Sequence, residues 1–418
     1  MFKLSKTIRD IQWSFISLAT SSLSHLFLRI LLSRELGASG LGLYTLVFTI
    51  YMFGIQFAAF GIGSALTKYI AEYCDEPLKI KEFVSSGIVG AIISGSLMGI
   101  TLYLLAGIIS TQFFHNSNMT ELLRITALCF PFIAIQKVII GILNGLRRMQ
   151  SYAFLNILQN LSIMVVTVIL VFCFDMDVMG AIIGFVAPTI IIGLLSLTFA
   201  RNYFEASFNI VHSVIKEISY FGFYIILAGS IEMINTQIDS VLIGHFMTET
   251  DVGYYAVAVI FVQGIILIPQ TIQSVTTPLI ATYYGKKDLE SIQKLIKRTM
   301  FNTFIVAVFI SFGLIIFGKS LITFIFTEEY LPAYMPMVIL LIGHTVCAPI
   351  GSIGTTLSCV GQVRVIFRIT TICALMNTIL NLLLIPKYGI IGASIATSLS
   401  QIGTLLIHFH FIKKYVFD

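Results

Sequence analysis

Charged residues are scarce in this chain. Asp, Glu, Lys and Arg make up 11% of its 418 residues, compared with about 25% in soluble globular proteins, and the mean hydropathy is +0.96. A soluble fold could not bury that much apolar surface. The low charge therefore excludes soluble enzymes and nucleic-acid-binding proteins. It predicts an all-α protein that crosses a membrane many times.

Cysteine is also scarce, and its spacing carries no motif. The six cysteines form no Cys-x-x-Cys pair. We also find no cluster of metal-ligand spacing and no nucleophile–His–acid arrangement among the seven histidines. We therefore expect no metal, no cofactor and no enzymatic activity. The cysteines are interpreted as small apolar residues.

Long apolar runs, bounded by charged residues or by Gly, Pro or Asn, predict twelve membrane-spanning helices. The first six are expected at residues 11–33, 41–66, 83–113, 122–146, 153–174 and 178–200. The second six are expected at 219–246, 253–283, 300–326, 333–360, 367–385 and 389–412. The first segment is too long for a signal-peptide core and lacks a small-residue cleavage site near its end, so we expect it to be retained.

The basic residues define an inner and an outer side for these helices. Only Arg34, Lys319 and Lys387 fall in outer loops, and Arg29, Arg124 and Lys137 fall within helices; the other 19 of the 25 Lys and Arg residues lie on the side of the two termini. Lys and Arg are enriched in cytoplasmic loops. We therefore expect both termini in the cytoplasm, and the net charge of +5 marks the cytoplasmic face.

Weak internal similarity relates the two halves of the chain. Residues 29–34 align with residues 240–245, and further short matches follow in order at similar shifts. Such a pattern is typical of transporter folds built from two parallel repeats. We therefore expect an N-terminal six-helix bundle at 1–203, a cytoplasmic connector at 204–218 and a C-terminal six-helix bundle at 219–418.

Several ordered stretches resemble one family of membrane transporters. Residues 216–222 (KEISYFG), 237–244 (QIDSVLIG) and 251–256 (DVGYYA) resemble the seventh-to-eighth helix signature of bacterial and archaeal polysaccharide flippases. Further matches are their Tyr-x-x-Ala entry to the tenth helix at 330–333 (YLPA), the turn before the last helix at 381–393 and the first turn at 35–44. The chain thus resembles O-antigen-type flippases of the multidrug/oligosaccharidyl-lipid/polysaccharide exporter superfamily.

This resemblance implies a fold, an activity and a location. The implied fold has two bundles in a V around a central cavity. The implied activity moves a polyprenyl-pyrophosphate-linked oligosaccharide from the cytoplasmic to the outer leaflet by alternating access, for cell-surface polysaccharide biosynthesis. The implied location is the plasma or inner membrane, among membrane lipids, with a glycan polymerase or glycosyltransferases of the same pathway as candidate partners. Relatives that move the peptidoglycan lipid precursor usually have fourteen helices, whereas this chain has room for twelve.

Ionisable and polar side chains inside the predicted helices are few. A charge near the bilayer centre costs about 3 kcal/mol on insertion scales, so each is a candidate functional group. Residues three or four apart share a helix face. Three faces are polar by this rule: Ser17, Ser21, His25 and Arg29 in helix 1; Lys137, Gly141 and Asn144 in helix 4; Tyr224, Glu232, Asn235 and Asp239 in helix 7. We expect all three to face the bundle interior or the cavity.

Lys137 is interpreted as a cationic contact for the substrate pyrophosphate, with Arg29, His25 and Asn144 as further cavity residues. A structural pair between Lys137 and Glu232 is the alternative. Since the repeat shift places Arg29 opposite Ser240, beside Asp239, a second hypothesis pairs Arg29 with Asp239. Pairing of each charge inside its own bundle is the alternative there.

Two more roles are hypotheses from residue type alone. Glu232 and Asp239 could be protonated or bind sodium during the cycle, as gate or ion-coupling residues, because buried carboxylates serve this purpose in pumps. Pro131, Pro269 and Pro349 interrupt helix hydrogen bonding and are candidate hinges, with a static kink as the favoured alternative.

Two rival functions can be compared on the same residues. A cation-coupled multidrug antiporter of the same superfamily shares the fold, but would be expected to favour acidic cavity groups over Arg29 and Lys137. A membrane-embedded polysaccharide polymerase or ligase usually carries a large outer loop, and the predicted outer loops are too short to form one.

Overall fold

The computed structural model describes residues 6–204 and 208–417, and it describes side chains from residue 9 and again from residue 214. Lys3 is one of the 19 basic residues that the sequence analysis puts on the inner side, and it lies outside the described residues. So do residues 205–207 of the predicted connector. Thirteen α-helices, with short 3₁₀ and π turns, make up nearly all of the described chain. No strand is found in the part that the structure describes.

The helices follow one another with short connections. In chain order they are α1 (Lys6–Ala59), α2 (Ile62–Glu72), α3 (Pro77–Gly107), α4 (Met119–Ala127), α5 (Phe130–Gly145), α6 (Met149–Val168), α7 (Asp177–Ser196), α8 (Phe208–Phe246), α9 (Glu249–Gly285), α10 (Leu289–Ile325), α11 (Tyr334–Gly351), α12 (Thr356–Cys359) and α13 (Val363–Ile412). Predicted helix 4 corresponds to α4 with α5, and predicted helix 7 to α8.

The number of apolar helices agrees with twelve crossings. Nine helices of the described chain are long and apolar enough to span a membrane, or ten when α4 and α5, which are bent by 45°, count as one span. Two of these long helices, α1 and α13, each consist of two helices that are joined at a non-helical glycine. The glycine is Gly37 in α1 and Gly389 in α13. Dividing them there gives the twelve predicted spans. The expected fold class, an all-α multi-pass membrane protein, is confirmed.

The breaks in these helices are sharper than the sequence predicted. Gly37 has φ 64° and ψ −174°, so the first two spans meet at one residue instead of a loop. Predicted helix 2 does not run on to residue 66, because Phe60 and Gly61 have positive φ and start a new helix, α2. Pro131 lies in the first turn of α5, just after the 45° bend, where its missing N–H costs no hydrogen bond.

Large apolar side chains remain exposed along several helices. Leu104 and Phe309 are each 72% exposed, and Phe324 is 79% exposed. A water-soluble domain rarely leaves so many large apolar groups uncovered. These faces are therefore the ones that contact lipid.

The chain forms two compact units. Unit 1 consists of Met1–Leu36 and Leu46–Ser230, and unit 2 of Gly37–Thr45 and Ile231–Asp418. In unit 1 an aromatic cluster of Tyr51, Phe130 and Phe185 packs at ring distances of 5.0–5.9 Å. In unit 2 an apolar cluster joins Ile280 of α9 and Ile296 of α10 to residues of α13. Each unit thus has its own core.

Candidate functional site

Asp239 is the centre of a buried polar cluster in unit 2. Its carboxylate lies in α8 and the residue is 7% exposed. The Tyr255 and Thr397 hydroxyls each donate to Asp239 Oδ2 at 2.6 Å, and Asn381 Nδ2 donates to Oδ1 at 2.7 Å. Hydrogen bonds to a charged acceptor contribute about 1.5–3 kcal/mol each. Neutral donors from two other helices therefore stabilise this carboxylate in the interior of the unit.

Two asparagines extend the cluster along α13. Asn377 Nδ2 donates to Thr397 Oγ1 at 3.1 Å, and Asn381 Nδ2 also approaches Asn377 Oδ1 at 3.2 Å. Asn381 Oδ1 is buried and accepts no hydrogen bond from the described residues. The cluster therefore holds a carboxylate, amide oxygens and hydroxyl oxygens in one place. This is a hard-oxygen donor set, which suits an alkali cation or a proton better than zinc.

Turn geometry explains why these residues meet. Asp239 and Tyr255 lie eight residues before and eight residues after Met247, in the turn that joins α8 to α9. Asn381 and Thr397 lie eight residues on either side of Gly389, where α13 breaks. Equal distances from a turn place two helical residues at equal depth. Both hairpins therefore bring their polar residues to the same level.

The start of α9 is fixed by its own sequence. Thr248 is the N-cap, Asp251 N donates to its hydroxyl at 3.3 Å, and Thr248 N donates back to Asp251 Oδ2 at 3.2 Å. This reciprocal capping box satisfies two backbone donors at the helix end. It fixes where α9 begins, and hence the helix face on which Tyr255 lies.

Lys137 presents a different arrangement in unit 1. Its side chain on α5 is exposed, whereas its neighbours Gln136 and Val138 are 2% and 0% exposed. Within unit 1, none of the described side chains forms a hydrogen bond or an ion pair with the Lys137 ammonium. Asn144, two turns further on, is exposed as well. Since an ammonium facing lipid tails is strongly disfavoured, the expectation that this face of α5 is directed at polar space stays a prediction.

Close helix packing fixes the position of Lys137. The Thr67 hydroxyl of α2 donates to the Gly141 carbonyl at 3.0 Å, and the α2 backbone at Gly63 packs against the Lys137 carbonyl. Side chains larger than hydrogen would separate the two helices here. The backbone of α5 is therefore held in place while the ammonium remains available.

The polar stripe of the first predicted helix is retained in α1. Ser17 is 5% exposed, and His25 and Arg29 are half-buried. The His25 ring meets Phe48 edge-on at 6.3 Å, and Phe48 contacts Phe185 of the aromatic cluster at 5.9 Å. His25 is thus positioned by apolar packing within unit 1, one turn from Arg29.

The remaining predicted residues occupy separate environments. Glu232 is exposed, unlike Asp239 on the same helix. Pro269 lies inside α9 and Pro349 lies inside α11 near its end. Arg29 and Lys137 belong to unit 1, and Glu232 and Asp239 to unit 2. The two pairs hypothesised across the bundles, Arg29 with Asp239 and Lys137 with Glu232, therefore stay predictions.

Sequence reasoning missed Tyr255 and Thr397. Asn377 and Asn381 are polar residues of the predicted eleventh helix, and the structure places both in interhelical hydrogen bonds. Gln159 behaves in the same way, since its Nε2 donates to Thr189 Oγ1 at 2.9 Å. Equal spacing about the turns was the signal that could have found the two missed residues.

A multi-pass helical fold with a buried carboxylate in one unit and an exposed cation in the other is typical of membrane transporters. The sequence model of the family described as "Polysaccharide biosynthesis protein" matches residues 8–284, more than half of the chain. The chain therefore belongs to this family. A second model, MatE, matches residues 225–383.

Known proteins are similar to this chain over most of its length. The probable low-salt glycan biosynthesis flippase Agl15 of Haloferax volcanii is 24% identical over 386 residues, which cover 92% of this chain and 79% of Agl15. A putative O-antigen transporter of Shigella flexneri is 21% identical over 412 residues, 96% of both chains. The solved structure of the lipid II flippase MurJ in an inward closed conformation has a TM-score of 0.80 at 19% identity, covering 96% of this chain and 87% of MurJ. The likeness to MurJ shows a shared fold.

Proposed function

We propose that this protein flips a polyprenyl-pyrophosphate-linked oligosaccharide from the cytoplasmic to the outer leaflet by alternating access, for the biosynthesis of a cell-surface polysaccharide. The observation that carries this proposal is the exposed Lys137 ammonium, the one charge of α5, which has no partner in its own unit. The names of the relatives, a glycan biosynthesis flippase and an O-antigen transporter, support it. On this proposal the protein is a transporter and not an enzyme.

A fixed cation at depth suits an anionic headgroup. A pyrophosphate that leaves the water of the interface loses hydration, and a charge-assisted hydrogen bond to an ammonium or guanidinium offsets part of that loss. Lys137 supplies such a donor, and Arg29 and His25 on α1 and Asn144 on α5 add polar groups in the same unit. The glycan then occupies polar space while the polyprenyl chain stays in lipid.

Asp239 is proposed to couple the cycle to a cation. Its oxygens lie beside the unpartnered Oδ1 of Asn381 and the hydroxyls of Tyr255 and Thr397. A proton or a sodium ion bound there would neutralise the carboxylate and alter the hydrogen bonds that join α8, α9 and α13. Such a change in helix contacts is a means of linking ion binding to bundle movement. Glu232, exposed on the same helix, is proposed as a gate residue.

The proposed setting is the plasma or inner membrane with both termini in the cytoplasm, as the distribution of basic residues indicates. A glycan polymerase and glycosyltransferases of the same pathway are the proposed partners, because they would consume and supply the lipid-linked oligosaccharide.

Reconstituted vesicles test the proposal. The purified protein is placed in liposomes with a fluorescent polyprenyl-pyrophosphate oligosaccharide, and the lipid that reaches the other leaflet is quantified by quenching. We expect Lys137→Ala to slow flipping about tenfold or more, the size expected for losing a charge-assisted hydrogen bond, and Lys137→Arg to keep most activity. Lys294→Ala, which alters an exposed surface pair with Glu290, is the control and should flip at the wild-type rate.

A cation-coupled multidrug antiporter is the second candidate. The MatE match and the buried Asp239 favour it. The same vesicles decide between the two. Uptake of a cationic dye driven by a proton or sodium gradient, without movement of the labelled lipid, would contradict the flippase proposal. Lipid flipping that is unaffected by Lys137→Ala would remove Lys137 from the site.

A further inference from the structure

Nine residues of α1 belong to a different unit from the rest of that helix. Gly37–Thr45 is part of unit 2, whereas the chain before and after it, up to Leu36 and from Leu46, is part of unit 1. We call this segment the outer strap, since the basic-residue pattern puts it on the outer side. Ala38 and Leu41 of the strap are 0% and 1% exposed. The strap is therefore firmly packed and is not a loose connection.

A carboxylate from a distant part of the chain caps the strap. The helix is interrupted at Gly37, which leaves the first N–H groups of the next segment without helical partners. Ala38 N donates to Glu329 Oε1 at 2.9 Å. A carboxylate at a helix N-terminus satisfies a backbone donor and interacts favourably with the helix dipole. A Cβ at Gly37 would lie 3.3 Å from the Glu329 carboxylate, so glycine also permits the close approach.

A second contact joins the strap to the start of α9. The Ser39 hydroxyl donates to Glu249 Oε1 at 3.4 Å. At Gly42 the two backbones touch, because a Cβ there would collide with the Glu249 carbonyl oxygen. Glu249 is the first residue of α9, whose end is held by the Thr248 capping box. Both partners of the strap are thus anchored in unit 2.

Glu329 is itself held by a buried neighbour. It lies in the 3₁₀ turn Glu328–Ala333, in which Tyr330 and Ala333 are 0% exposed. The Tyr330 ring packs edge-on against Tyr254 at 6.2 Å and contacts Phe326 at 5.9 Å. The Tyr-x-x-Ala motif of this turn therefore anchors the turn, so that the preceding carboxylate points at the strap.

We propose that the outer strap is a lock of the transport cycle and that Glu329 is its positioning residue. The inference rests on the proposed alternating access. Because the chain on both sides of the strap belongs to unit 1, a movement that carries the strap along with unit 1 has to release it from unit 2. Release breaks the Ala38–Glu329 hydrogen bond and the Gly42–Glu249 backbone contact together. The left-handed Gly37 supplies a bend at one end.

Hydrogen exchange of the full-length protein in nanodiscs tests the attachment without substrate. We expect Glu329→Ala to speed exchange of a peptide covering 37–45 about fivefold, the size expected for loss of one helix N-cap, and Glu329→Gln to give a smaller increase. Glu328→Ala, the adjacent exposed acid, is the matched control and should leave the strap unchanged. Peptides of unit 1 should be unaffected, which excludes general unfolding. Unchanged strap exchange in both Glu329 variants would overturn the positioning role.

A reversible cross-link tests the lock. In a background without the native cysteines, Ser39→Cys and Glu249→Cys are joined by a short cleavable thiol cross-linker. We expect lipid flipping to fall at least tenfold and to return on cleavage, whereas the reagent leaves each single variant active. Flipping at the uncross-linked rate would overturn the lock. If the natural protein flips no lipid in the same vesicles, the proposed function fails, and the exchange experiment still measures how the strap is held.

Discussion

Lys137 and Asp239 are both charged residues in apolar helices, and the protein treats them in opposite ways. Asp239 is 7% exposed and accepts three hydrogen bonds at 2.6–2.7 Å from its own unit. Lys137 is exposed and has no hydrogen-bond or ion-pair partner among the described residues of its unit. A charge fully supplied with partners contributes to the fold, and a charge without them is available to a ligand. The two are therefore expected to fail differently when mutated.

The largest expected effect is the loss of lipid transport when Lys137 is replaced. Reversal of the charge in Lys137→Glu should reduce lipid flipping about a hundredfold, because an anion at this position repels the pyrophosphate and adds its own desolvation cost. The thermal unfolding temperature in detergent should change little, since no partner in unit 1 is lost. A variant that unfolds at a much lower temperature would instead make Lys137 a structural residue.

The next largest effect is on the stability of unit 2. Asp239→Ala should lower the free energy of unfolding by about 2–4 kcal/mol, because three buried donors lose their acceptor. Glu232→Ala, on the same helix but exposed, is the stability control and should unfold with the wild type. Thermal unfolding, followed by the fluorescence of a dye that binds the unfolded protein, measures the stability of both variants. Equal unfolding temperatures for the two variants would remove the contrast between Lys137 and Asp239.

A smaller effect separates the donors around Asp239. Thr397→Val and Tyr255→Phe each remove one neutral donor and should destabilise unit 2 by about 1 kcal/mol. The loss of stability in the double variant should differ from the sum of the two single losses, since both hydroxyls donate to the same oxygen. A double-mutant cycle measures this coupling. Additive losses would show that the two hydroxyls act independently.

The smallest effect concerns a surface carboxylate, outside the membrane spans. Asp288 is the N-cap of α10, and hydrogen bonds from Ser291, helped by the Lys294 and Lys286 charges, lower the pKa of its carboxyl. Its stabilising contribution is therefore present above the ordinary Asp pKa of about 4 and is lost as the pH falls through the lower native pKa. Exchange in the first turn of α10, corrected for intrinsic rates, should rise about twofold at pH 3 relative to pH 6.

The control for this prediction is Asp288→Asn. Asparagine caps a helix without ionising, so the pH dependence of exchange should disappear while the exchange at pH 6 stays near that of the wild type. A pH dependence that persists in Asp288→Asn would assign it to another group.

The twelve spans could be predicted because hydropathy and basic residues each constrain them. A missed helix would have placed the 19 inner basic residues on both sides. The exact breaks could not be predicted in the same way, because hydropathy does not distinguish a loop from a single left-handed residue such as Gly37 or Gly389. Such a break needs only one or two residues in a non-helical conformation, so the apolar run continues across it.

The candidate site was only partly predictable for a related reason. Intramembrane Lys137 and Asp239 stand out against an apolar background. Hydroxyls such as those of Tyr255 and Thr397 do not, because tyrosine and threonine are common in these helices and threonine hydroxyls often bond to their own backbone, as Thr378 does to Ala374. Only the fold shows which hydroxyl reaches a carboxylate.

The cysteines, which we interpreted as small apolar residues, differ in exposure. Cys129, Cys347 and Cys373 are buried, whereas Cys74 and Cys173 are exposed. Cys74 follows α2 and Cys173 ends the π turn that continues α6, positions that the predicted topology puts on opposite faces of the membrane. The predicted topology therefore puts one exposed cysteine near each face, and Cys359 is a further, partly exposed thiol. A membrane-impermeant maleimide, applied to intact cells and then to inverted vesicles, would show which exposed cysteine faces which side of the membrane. This measurement of the chain's orientation needs no substitution.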